Sequence, residues 1–91
     1  MIFEYDPDKS QRNKTKHGID FEEAKVLWDD PYAFELPSRN SEDEERFLVL
    51  GKIDTRHYTA IITYREERIR IISVRRSREK EKALYESIRN R

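Results

Sequence analysis

The stretch "RIRIISVRRSREKEKALYESI", residues 68–88, is the one on which the reading of the fold turns. Ile69, Ile71, Ile72 and Val74 form an apolar, mostly β-branched run that reads as a strand. It ends directly in Arg75 and Arg76. Ser77 then caps a helical segment whose Ala83, Leu84 and Ile88 are placed to dock on a sheet. Arginine is rarely buried without a partner, and its planar fork suits carboxylate or phosphate. Successive strand side chains point to opposite faces. A regular strand therefore sends the two guanidinium groups to different surroundings. Glu79, Glu81 or the acidic middle of the chain would serve one as a carboxylate, and an external anion would serve the other.

Working back from this strand, "RFLVLGKI" and "HYTAIITY" are rich in β-branched and aromatic residues, with "DTR" as a tight connection between them. "REE" turns the second of these into the strand "RIRIISV", residues 68–74. Tyr32, Phe34 and Leu36 alternate with Ala33 and Glu35 in a further strand, and "PSRNSEDE" is a polar loop. Upstream, Asp20 is a helix cap with Glu23 as its capping-box partner, and Ile19 with Ala24 forms the hydrophobic staple. Phe21, Ala24, Leu27 and Trp28 give one helix its apolar stripe as far as Pro31.

The first helix starts at "DPDK", where Asp6 caps and Pro7 fits the first position. It continues through "KSQRNKTK", which contains no apolar residue, so it is expected to be short, exposed or bound to something. Gly18 suits its left-handed stop, leaving His17 at the final turn. "IFEY" is a short opening strand. The order is β-α-α-β-β-β-β-α, an α+β domain whose short links favour antiparallel neighbours.

Ninety-one residues make a single domain, 1–91, and 42% charged against 35% hydrophobic residues makes its core thin. Such a domain gains stability from a partner. The formal net charge is zero but divided. Residues 9–17 balance at +4, residues 64–91 at +5, and residues 20–45 at −8. That partition allows a basic face for an anion, or simply solvated charge with internal pairing. The absence of cysteine excludes a disulfide framework and thiolate metal sites. No signal peptide or membrane-length apolar run is present, so the cytoplasm is the expected location.

Among candidate functional residues, His17 is either a proton carrier or a helix-end histidine meeting unpaired carbonyls. Lys14 and Lys16 beside it are placed to attract phosphate. Asn13 shares one side of that helix with Lys9, Arg12 and Lys16. His57 starts a strand and is expected to be exposed. Tyr85 lies four residues after Glu81 on the same helix face, as core, rim, stacking platform or proton donor. Arg46 reads as an edge-strand pair, unless the sheet face above it is the active one. There is no glycine-rich phosphate loop, no G-x-S-x-G and no plausible metal set, so any chemistry is expected to need neither metal nor cofactor. RNA cleavage meets that condition, because the substrate's own 2′-hydroxyl attacks the adjacent phosphate. The protein then positions, moves protons and offsets charge.

These residues together resemble the BrnT-type toxins of bacterial toxin–antitoxin pairs. The resemblance starts at Tyr5, Asp6, Pro7 and Lys9 and runs through Asn13, Lys16, His17, Gly18, Ile19, Phe21 and Ala24. It continues with Glu44, Glu45, Arg46, Phe47 and Gly51, then with Arg70, Ile71, Ile72, Ser73, Val74 and Arg75, and closes on Glu81 and Tyr85. Tyr5 stands where tryptophan is usual, and Val74 and Ser77 where alanine is. The resemblance implies a RelE-like fold and metal-independent RNA cleavage that arrests translation and growth. It implies neutralisation by a BrnA-type antitoxin, a ribbon-helix-helix protein that brings the complex to its own operator DNA. On this reading Arg75 holds the scissile phosphate with help from Arg46. His17 carries protons, and Tyr85 stacks or assists. Asn13, Lys14, Lys16 and Arg76 bind RNA. Two alternatives use the same residues: a nucleic-acid module that grips without cleaving, and a protein-interaction module.

Overall fold

The computed structural model describes residues 1–38 and 44–91, so most of the "PSRNSEDE" loop lies outside the described residues. The expected order is found: β1 (Ile2–Glu4), α1 (Pro7–His17), α2 (Phe21–Ala24), β2 (Phe34–Pro37), β3 (Phe47–Ile53), β4 (Arg56–Arg65), β5 (Arg68–Arg76) and α3 (Glu79–Arg89). The strands form one sheet in the order β1-β5-β4-β3-β2. All pairs are antiparallel except β1 with β5, which are parallel. No helix among the described residues is long and apolar enough to cross a membrane.

Register defines two faces. Val49, Ala60 and Val74 lie side by side on one face, and Leu48, Ile61 and Ser73 on the other. The first face meets α1, α2 and the core residues Ile19, Phe21, Ala24 and Leu27. The second face carries α3, held there through Thr59 and Arg75. A β-bulge beside Ile61 and Ile62 leaves Ile72 without a partner, because Ile61 faces Ser73 while Ile62 faces Ile71.

Several local expectations change. The helix predicted to run to Pro31 is α-helical only over Phe21–Ala24 and tightens to a 3₁₀ turn over Lys25–Asp29. At three residues per turn, side chains three apart eclipse one another. Phe21, Ala24 and Leu27, all essentially fully buried, thereby stay in line against the sheet. The Asp20–Glu23 capping box is present as expected. Ser77 does not cap α3; Arg78 occupies that position, and the Ser77 hydroxyl is buried against Thr59 Oγ1 at 2.9 Å. On α3, Tyr85 is the buried residue, whereas Ala83 and Leu84 are exposed.

α1 docks without an apolar residue. Asp6 accepts from the Asp8 amide, Pro7 opens the helix, and Gly18 closes it at φ 78. Its buried side chains are Ser10 and Asn13. Ser10 Oγ accepts from the Phe21 amide at 2.9 Å. The Asn13 side chain donates to the carbonyls of Ile19 at 2.7 Å and Val74 at 2.9 Å, and accepts from the Val74 amide at 3.2 Å. β1 pairs only with Arg68–Arg70 of β5. Four residues beyond that pairing, Asn13 takes up the backbone groups of Val74 and so covers a part of the β5 edge that β1 does not reach.

Candidate functional site

The second face of the sheet is half covered. Beside α3 it opens into a groove of about 470 Å³, floored by Leu48 and Ile61, rimmed by Pro37 and Ser38, and lined by Arg46, Arg75, Arg78 and Glu81. Strand alternation explains two of the arginines. Arg46 precedes Leu48 by two residues, and Arg75 is directly opposite Thr59, so both share that face. Arg78 comes from the cap position of α3. Among the described residues, three guanidinium groups against one carboxylate line the groove and give it an excess of positive charge.

Arg75 is the fixed member. Its Nη1 donates to Glu81 Oε1 at 2.8 Å and its Nη2 to Glu81 Oε2 at 2.9 Å, a bidentate pair. Nη1 also donates to the Arg76 carbonyl at 3.3 Å. Glu81 Oε1 accepts further bonds from the Arg78 amide at 2.8 Å and Thr59 Oγ1 at 3.0 Å. Burial alone would raise the Glu81 carboxyl, but the donors from Arg75, Arg78 and Thr59 outweigh it and hold the group down to about 2. The hydrogen bond to Glu81, acting against burial, moves the Arg75 guanidinium upward. Both groups therefore stay ionised at every physiological pH.

Arg76 points the other way, as alternation requires. It is exposed and lies 5.7 Å from the centre of the Tyr58 ring. Lys14, Lys16 and His17 sit on the last turns of α1, which packs on the opposite side of the sheet from the groove. Lys14 Nζ is bonded to Glu23 Oε1 at 2.8 Å, which ties that charge to the start of α2. The expected site residues thus fall into two regions: Arg46 and Arg75 in the groove, and Lys14, Lys16, His17 and Arg76 beyond β5.

Two expected residues reach neither region. Asn13 is buried and its amide is consumed by Ile19 and Val74, so it presents nothing to a ligand. Tyr85 is 2% exposed and donates to Asp30 Oδ2 at 2.7 Å. Burial and then the Asp30 carboxylate push its phenol well above the ordinary value, so it holds its proton. His57 is not exposed as expected. Its Nε2 lies 2.7 Å from Glu86 Oε2, and its ring meets Tyr85 edge-on at 5.4 Å.

Sequence reasoning missed Arg78, Thr59 and the histidine–glutamate pair. Arg78 lies beyond the strand end, where alternation no longer assigns a face. Thr59 looked like ordinary strand composition, and its only signal is a buried hydroxyl that needs a partner. No group of three or more His, Cys, Asp or Glu among the described residues is placed to hold a metal ion.

A sequence model of one family matches residues 5–81; its description is "Ribonuclease toxin, BrnT, of type II toxin-antitoxin system". No curated protein matches the chain.

Proposed function

The chain belongs to the BrnT family of ribonuclease toxins of type II toxin–antitoxin systems, and on that premise we propose that it cuts RNA in the groove between Arg46, Arg75 and Arg78. The observation that carries this reading is the convergence of three arginines on one half-covered sheet face, with Arg75 held by Glu81.

The cut needs no metal. The 2′-oxygen loses its proton to solvent and bonds to the adjacent phosphorus, the P–O5′ bond breaks, and the leaving 5′-oxygen takes up a proton. The products are a 2′,3′-cyclic phosphate and a 5′-hydroxyl. Arg75 binds the scissile phosphate and offsets the charge that develops on its oxygens; Arg46 and Arg78 hold it in line. Among the described residues no histidine lines the groove, so catalysis rests on positioning and charge. Lys14, Lys16, His17 and Arg76 extend a positive surface beyond β5 for the flanking RNA. The toxin acts in the cytoplasm, where cleavage stops translation and growth. Its antitoxin is of the ribbon-helix-helix BrnA type and carries the pair to operator DNA.

The lack of a histidine in the groove also favours a second reading, in which the arginines grip RNA without cutting it. One experiment separates the two: mapping of new RNA 5′ ends after brief induction, for wild type, Arg46→Ala and Arg75→Lys. Fresh 5′-hydroxyl ends in wild type, persisting in EDTA-treated purified reactions and lost in both variants, support cleavage in the groove. RNA bound in a salt-sensitive way yet intact after long incubation supports grip alone.

A further inference from the structure

The way Glu81 is itself held has no explanation in ion pairing alone. Two of its four hydrogen bonds, 2.8–3.0 Å long, come from Arg75, and the other two come from the Arg78 amide and Thr59 Oγ1. Thr59 is completely buried and directly opposite Arg75 in the β4–β5 register. Its hydroxyl is fixed in turn by Ser77 Oγ at 2.9 Å. The carboxylate is thus anchored to β4 and to the first turn of α3 before it meets the arginine.

A guanidinium group has two edges suited to a pair of oxygens. One is formed by Nη1 and Nη2, the other by Nε and Nη2. Glu81 occupies the first edge, and the Arg76 carbonyl takes a further Nη1 bond. From this arrangement we infer that Glu81, seated by Thr59 and Ser77, is a positioning residue that turns the Nε–Nη2 edge of Arg75 toward the RNA phosphate. The inference rests on the groove being the site of cleavage.

The inference separates binding from rate. A carboxylate in an anion groove opposes the binding of RNA, so a role in binding alone would make it a liability. A role in orientation makes it necessary for the transition state while slightly weakening the ground state. Glu81→Gln keeps an oxygen for the Arg78 amide and Thr59 but turns an amide N–H₂ toward one Nη group. The guanidinium loses its fixed plane while the groove becomes more positive.

The test measures single-turnover cleavage beside the affinity for the same RNA carrying a 2′-O-methyl group at the cut site. Glu81→Gln is expected to cleave about 10- to 100-fold more slowly, the scale on which misoriented charge stabilisation acts. Its affinity for the methylated RNA should be unchanged or tighter. Equal loss of rate and affinity would make Glu81 a mere structural support and overturn the inference. Wild-type cleavage by Glu81→Gln, with Arg75→Lys inactive, would overturn it and leave the groove intact. Wild-type cleavage by Arg75→Lys would overturn the groove reading and the inference with it. Should Glu81→Gln fail to fold, Thr59 decides the matter. Thr59→Ser matching wild type while Thr59→Val is slower at unchanged affinity supports positioning; equal rates for the two overturn it.

Discussion

Asn13 and Val74 meet as side chain to backbone: the Asn13 amide donates to the Val74 carbonyl at 2.9 Å and its oxygen accepts from the Val74 amide at 3.2 Å. A helix with no apolar face is thereby attached to the sheet by the same pattern of donor and acceptor that a strand would use. Asn13→Ala leaves three buried backbone groups, two on Val74 and one on Ile19, without that partner. The expected loss is about 3 kcal/mol of unfolding free energy, at ~1 kcal/mol per bond. Urea denaturation measures it, and a loss under about 1 kcal/mol would show water replacing the amide.

The two glycines answer to different constraints. At Gly51, a Cβ would stand 3.0 Å from Leu27 Cδ2 and 3.4 Å from Asp30 Oδ2, inside packed structure. Gly51→Ala is expected to cost about 1–3 kcal/mol through overpacking. At Gly18 a Cβ meets nothing within 4 Å, but φ is +78. Gly18→Ala there costs only the left-handed conformation, about 1 kcal/mol. Thermal unfolding of the two variants side by side checks the order.

Tyr85→Phe removes one of the donors on Asp30 Oδ2 and leaves the Lys52 amide as the other. The phenol is buried and remains protonated, so the change should lower stability by about 1–2 kcal/mol while leaving the RNA cleavage rate per folded molecule unchanged. A drop in cleavage rate without loss of stability would place the hydroxyl in the chemistry.

Acid should reach the Glu81 anchor in a defined window. Its folded carboxyl sits at about 2, below the ordinary 4.5. A depressed carboxyl stabilises the fold fully above its unfolded value and loses that contribution as pH falls through the folded one. The stability difference between wild type and Glu81→Gln should therefore be constant above about pH 5 and shrink between pH 4.5 and 2. Urea midpoints at pH 6, 4 and 3 follow it, and a difference that stays flat across the three would remove Glu81 from the ionised anchor.

Strand alternation alone placed Arg75 and Arg76 on opposite faces, and Glu81 was among the carboxylates within reach of the pair. That much was legible because period two and short sequence separation govern it. The docking of α1 was not, since amphipathic periodicity registers apolar stripes and is blind to a buried asparagine that serves a strand edge. Nor was the His57–Glu86 contact, whose partners stand 29 residues apart. The parallel pairing of β1 ran against the preference of short links for antiparallel neighbours. It arises because β1 joins the last strand of the sheet rather than its own neighbour in sequence. The division of the basic residues between groove and far side followed from that packing, so spacing along α1 gave no sign of it.

The parallel contact of β1 with β5 carries a temporal consequence. Glu4 and Arg70, bonded at 2.9 Å, are 66 residues apart, and chains leave the ribosome from their N-terminal end over seconds. The first strand must wait, unpaired, while almost everything between is made. The same last portion of the chain supplies Arg75 and, on α3, the glutamate that holds it. A half-made copy therefore has neither its closing strand nor the Arg75–Glu81 pair of the groove, and both are completed only once α3 has been translated.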